Sequence, residues 1–285
     1  MGALLLMQAC ASSDPGLPVI PSGEAQPAFT RATADQHWSQ RADSVHARQA
    51  LHLYRQLAMG DSTNLELWAR LARAYYFNAT YWCHDPAQRD SLYMRGHESA
   101  QTILYQNESF RQILFATGEE KLAIRGLDAR HLDAIYWGIA NYGRWLATKG
   151  KLVRLGQLPQ VLNALEYINE VDSAYYYGAY GRYLGALICR DPAGDLDQAR
   201  AAFEQSLETH PEYLGTYTLM ARFYARQTSD KDLFYQLLTT VLTTNPDPQL
   251  PFAPENQLER IQAEHLMIQA ERENWFTSGP APGGN

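Results

Sequence analysis

Apolar residues recur every three or four positions along almost the whole chain between residues 40 and 276, with polar residues between them. That spacing lines one face of a helix with apolar side chains. In 40–58 the apolar set is Val45, Ala50, Leu51, Tyr54, Leu57 and Ala58, and Gly60-Asp61 ends the run. Ser62 or Thr63 is expected to cap the next helix, which carries Leu67, Trp68, Leu71, Ala72, Tyr75 and Tyr76. The same reasoning predicts helices near 86–106, 108–115, 128–148, 158–169, 172–188, 195–209, 212–227, 230–244 and 255–275. The fold class is therefore all-α.

Short signals repeat within this pattern. Pro211 and Pro246 each follow a predicted helix and stand 35 residues apart. Ala72-Arg73-Ala74-Tyr75 returns as Ala221-Arg222-Phe223-Tyr224, and Cys83-His84-Asp85-Pro86 as Cys189-Arg190-Asp191-Pro192. A tetratricopeptide unit is about 34 residues long, so the chain reads as a tetratricopeptide-like array of helical hairpins. In both Asp-Pro pairs the carboxylate suits free helix-start amides, and the proline suits a first helical position. Residues 36–276 are expected to form one helical-repeat domain.

The flanks differ in character. Gly2 to Ala9 is short and apolar, and Ala9-Cys10 resembles a bacterial lipoprotein cleavage junction, with residues 1–10 as a truncated signal. Cys10 is then the lipid attachment site. Residues 11–35, with Pro15, Pro18, Pro21 and Pro27, read as a flexible tether. Residues 277–285 read as a disordered tail. No run of 18 apolar residues exists, so the expected link to a membrane is the lipid alone.

Net charge is -7 with 19% charged residues, which argues against a nucleic-acid partner. Cys83 and Cys189 lie outside any C-x-x-C pattern, so no metal site is expected; they read as helix-end thiols or as partners of each other. His97-Glu98 lacks the second histidine of H-E-x-x-H, since Gln101 stands there. The Glu119-Glu120 pair suits a solvated helix start. No catalytic constellation and no cofactor motif is present, so the chain is not read as an enzyme.

Two features point to binding instead. Gly178, Gly181 and Gly185 share one face of a predicted helix, which suits close helix approach or a ligand against the backbone. Aromatic residues make up 12% of the chain and cluster at Tyr75-Tyr76-Phe77, Tyr136-Trp137, Tyr142, Trp145 and Tyr175-Tyr176-Tyr177. Trp137, Asn141 and either Arg144 or Trp145 share a helical face, and that mixture suits a cavity wall as well as a core. With Tyr180, Tyr183 and Arg182 they form the candidate ligand or pore-lining set.

The run Trp137-Gly138-Ile139-Ala140-Asn141-Tyr142-Gly143-Arg144-Trp145 resembles the W-x-x-A-N-x-G-x-W helix of the T component of tripartite ATP-independent periplasmic (TRAP) transporters. The segment Tyr180 to Gly185, the turn to Asp195, Phe203-Glu204 and Pro211 are similar to that family's second block, and Asn256 through Phe276 to its C-terminal end. The resemblance implies a periplasmic lipoprotein and ring-like homo-oligomers with a pore through each subunit. It also implies docking to the periplasmic solute-binding protein and transfer of a small hydrophobic or carboxylate ligand. The reading that does without a ligand is a repeat scaffold for other envelope proteins.

Overall fold

The computed structural model describes residues 30–276. Cys10, the first nineteen residues of the expected tether and the tail at 277–285 lie outside the described residues. Thirteen α-helices and no strand occur among the described residues. They are α1 (Arg31–Ser39), α2 (Ser44–Gly60), α3 (Leu65–Phe77), α4 (Pro86–Leu104), α5 (Glu108–Thr117), α6 (Glu120–Ala123) and α7 (Leu132–Leu146). Then follow α8 (Lys151–Val171), α9 (Tyr175–Ile188), α10 (Leu196–Thr209), α11 (Gly215–Met220), α12 (Lys231–Thr243) and α13 (Ala253–Arg272).

Side-chain caps set most boundaries. Asp43, Asp85, Asn107, Asp195 and Asp230 each accept from amides in the first turn of α2, α4, α5, α10 and α12. These amides have no partner inside the helix, so a short polar side chain stabilises the start by about 1 kcal/mol. Pro86 occupies the first turn of α4, as its sequence suggests.

Several expectations need correcting. Helix α1 begins at Arg31, inside the segment read as tether, because Thr30 accepts from the Thr33 amide. The cap of α3 is Asn64, which accepts from Leu67 at 3.2 Å, in place of Ser62 or Thr63. Helix α8 starts at Lys151, not near 158, and passes through Pro159. Asp191-Pro192 does not start a helix; Asp191 accepts from Ala193 within a turn, and Asp195 caps α10 four residues later.

Sequential neighbours pack together: α1 on α2, α2 on α3, α3 on α4, and later α9 on α10 and α12 on α13. Helix α7 inserts against both α3 and α4. Asn141, fully buried, makes this junction. Its Nδ2 donates to Ala72 O of α3 at 2.9 Å and to its own helix at Trp137 O at 2.7 Å. Its side chain lies over Gly96 of α4, where an added Cβ would come within 2.5 Å of Asn141 Cγ. Asn78 repeats the device one helix earlier, donating to Ala47 O of α2 at 3.0 Å and Ala74 O at 2.9 Å.

The approach of α9 to α10 depends on two of the three glycines singled out above. A Cβ on Gly181 would meet Ala202 O at 2.3 Å, and one on Gly185 would meet the Phe203 ring at 2.6 Å. Gly178 is different. Tyr176, Tyr177 and Gly178 have φ of 44°, 58° and 73°, a left-handed turn at the head of α9, so the three glycines do not share one regular helix. Such backbone costs roughly 1–2 kcal/mol per non-glycine residue and needs support from its surroundings.

Candidate functional site

Three apolar clusters, built on α1–α3, on α3–α9 and on α9–α13, leave a cavity between them. It has about 140 Å³ of room for the centres of water-sized molecules. One water needs only ~10–15 Å³ by that measure. Helices α3, α7, α8, α9, α11 and α13 supply the walls.

Two π-helical turns also reach it: Asn78–Trp82 after α3 and Ala221–Ala225 after α11. A π turn admits one extra residue and rotates the side chains beyond it. The first brings Thr80 and Tyr81 to the wall, the second Arg222 and Phe223.

The apolar wall is aromatic. Trp137 lies 4.7 Å from Tyr136, 5.5 Å from Tyr76 and 4.9 Å from Tyr176, measured between ring centroids. Tyr136 and Tyr183 are 6.0 Å apart, edge to face. The Tyr76 and Tyr183 hydroxyls share a hydrogen bond of 3.2 Å. Burial, followed by the other wall tyrosines, pushes the Tyr183 phenol well above its ordinary range.

Five arginines and two glutamates line the same space: Arg73, Arg144, Arg182, Arg190, Arg222, Glu255 and Glu259. At one end Glu255 is buried. It accepts from Arg41 Nε at 3.2 Å and Arg73 at 2.9 Å, and from the Tyr176 hydroxyl at 3.4 Å. Burial alone would raise this carboxyl; Arg41 and Arg73 outweigh it and hold it below the usual carboxylate range. The Arg73 guanidinium also faces the Trp137 ring at 5.1 Å and the Tyr176 ring at 5.2 Å.

Arg182 is buried and committed to the backbone. It donates to Tyr177 O at 2.7 Å and Tyr176 O at 3.0 Å, and lies 4.5 Å over the Tyr213 ring. It thereby satisfies carbonyls that the left-handed turn removes from regular helix pairing.

The structure brings Trp137, Tyr183, Arg144 and Arg182 of the predicted set to one cavity and leaves the other three elsewhere. Asn141 lies in the junction of α3, α4 and α7. Trp145 stacks on Tyr142 at 5.6 Å with Lys149 4.6 Å over its ring, and packs with Tyr180 on a cluster of Leu146, Val161 and Leu165. Sequence reasoning missed Arg73, Arg222, Glu255 and Tyr213. A signal existed for the first two, because the recurring Ala-Arg-x-Tyr segment places an arginine on each of two walls.

Cys83 and Cys189 are both free thiols. No group of three or more His, Cys, Asp or Glu able to hold a metal ion occurs among the described residues. No helix among them is long and apolar enough to cross a membrane.

The described residues thus form an all-α stack of helices around an aromatic, arginine-rich cavity. The family model described as TRAP transporter T-component matches residues 47–273, and the chain belongs to that family. It is thus an accessory component of a TRAP transporter. No curated protein matches the chain.

Proposed function

We propose that this protein is a periplasmic, lipid-anchored accessory subunit that holds a small hydrophobic or organic-acid ligand and exchanges it with the transporter's solute-binding protein. Lipid on Cys10 keeps it at a bacterial membrane, and it works as a homo-oligomer of tetratricopeptide-like subunits. The observation that carries the reading is the internal aromatic wall of Tyr76, Tyr136, Trp137 and Tyr183 beside open space. Aromatic walls bury an apolar ligand body, while a few fixed polar groups orient it. A protein acting only as a scaffold has no use for such a space.

The test has two arms. The neutral dye N-phenyl-1-naphthylamine is titrated into the full chain, and blue-shifted emission is expected, weakened in Tyr183→Ala. In parallel, the tagged full chain is cross-linked in cells that carry the TRAP solute-binding protein. Capture of that protein without any dye binding would replace ligand handling by the scaffold reading. Labelled palmitate entering the wild type but not Cys10→Ser checks the anchor.

A further inference from the structure

The arginines of the cavity fall into two groups that differ in partners. Arg41 and Arg73 share Glu255, and Arg182 is spent on two carbonyls. Arg144, Arg190 and Arg222 form no ion pair among the described residues. Arg144 faces the Tyr76 ring at 5.8 Å and Arg190 the Phe223 ring at 5.8 Å. Arg222 donates one bond, to Gln262 Oε1 at 3.3 Å, and its buried Nε has no partner. Glu259 is on the same wall, but its carboxylate accepts from the Tyr81 hydroxyl at 2.7 Å and pairs with none of the three.

Arg144 acts on the other two, while Tyr76 beside it holds the Arg144 guanidinium above the ordinary range. Burial, and then the charge of Arg144, pushes the Arg222 guanidinium down from its ordinary value, against a smaller upward pull from Glu259, which is not in ion-pair contact with it. Desolvation, then Arg154 and Arg144, does the same to Arg190. Arginine stays charged at any working pH, so this repulsion is not relieved by losing a proton. Gathering like charges in a partly dry space is unfavourable unless an anion joins them.

The repeat sharpens the contrast. Arg73 and Arg222 occupy the same place in the recurring Ala-Arg-x-Tyr segment, and each has a buried Nε without a partner. Only Arg73 has a carboxylate supplied by the protein. The cavity is therefore polarised along its length. Arg190, exposed at the rim, leads to half-buried Arg144 and Arg222, then to Tyr76 and Tyr183, then to Trp137 and the ion-paired Arg73 and Glu255.

We propose that Arg144, Arg190 and Arg222 form the head-group site for an amphipathic organic anion, a carboxylate or a phosphate monoester, whose apolar body lies along Tyr76, Tyr183 and Trp137. Guanidiniums bind both head groups through paired N–H donors, and the missing counter-charge is what the ligand brings. The proposal rests on the ligand-handling reading above and names its substrate class and orientation.

The experiment compares octanoate, octyl phosphate and uncharged 1-octanol by calorimetry on the full chain, with thermal melts in parallel. At least one anion should bind tenfold or more tightly than octanol. Arg144→Gln and Arg222→Gln should each weaken that anion about tenfold, the loss of one charge-assisted hydrogen bond, and leave octanol unchanged. Arg190→Gln, at the exposed rim, gives the same comparison in a variant whose fold is not at stake. The better of the two anions identifies the head group. Equal affinity for anions and octanol, or anion preference unchanged in all three variants, overturns the anion site while ligand handling stands. Binding of none of the probes overturns both.

Discussion

Arg182 donates 2.7 Å to the carbonyl oxygen of Tyr177, a residue held at φ 58°. A side chain that sequence alone offers as a ligand contact is thus a brace for strained backbone. The bracing matters to the cavity, because Tyr176 in the same turn carries its ring against Trp137 and its hydroxyl to Glu255.

Arg182→Leu should therefore destabilise the fold, not merely alter binding. Two part-buried carbonyls lose their donor, at a cost of about 2 kcal/mol. A thermal melt with no shift would show that the turn stands without the brace.

Asn141 and Gly96 should be energetically coupled. Asn141→Ala removes two hydrogen bonds between buried groups and should cost about 2 kcal/mol. Gly96→Ala forces a Cβ into the Asn141 side chain, an overpacking cost of roughly 1–3 kcal/mol. The double variant should be less damaged than the sum, since removing the amide opens room for the methyl. Additive losses in urea melts would mean the two do not touch in solution.

Gly181→Ala should lower stability although alanine is the better helix former. The added methyl would meet the Ala202 carbonyl oxygen at 2.3 Å, so α9 and α10 must separate. That shift outweighs the gain of roughly 1 kcal/mol in helix propensity. A raised melting temperature would place Gly181 away from the α10 backbone.

Acidification should weaken the fold through His37 and His97. Burial lowers both imidazoles, and the neighbouring His46 lowers His37 further. A lowered histidine is favoured neutral in the fold. Its contribution is complete above the ordinary value of about 6.5 and is lost as pH falls through the folded value. The melting temperature should fall between pH 7.5 and pH 5, and His97→Gln should shrink the difference. An unchanged difference in that variant would remove His97 from the account.

The two thiols should react at very different rates. In a Cys10→Ser background, Cys83 is half-buried, while burial pushes the Cys189 thiol up to about 11. One equivalent of Ellman's reagent should react promptly in the native protein and a second only on unfolding. Two prompt equivalents would show that α9 frays at Cys189.

Sequence spacing determined most of the helices, though not α1 or the start of α8. The period of the apolar residues, the Asp85-Pro86 start and the Asp195 start are local, since propensity and capping act within a turn or two. The resemblance of 137–145 and its flanks to the T-component family was legible for a related reason: it rests on residues close together in the chain. Tertiary structure decided which face of each helix met the cavity. Asn141 and Trp137 stand one turn apart, yet the amide went to the junction with Ala72 of α3 and Gly96 of α4, and the indole to the wall beside Tyr76, Tyr136 and Tyr176. The arginines divide in the same way. Arg73 and Arg222 sit in like segments, and only the position of Glu255, far along the chain on α13, gives one of them an ion-pair partner. Partners so distant in sequence are set by how whole helices stack, and no local pattern carries that information.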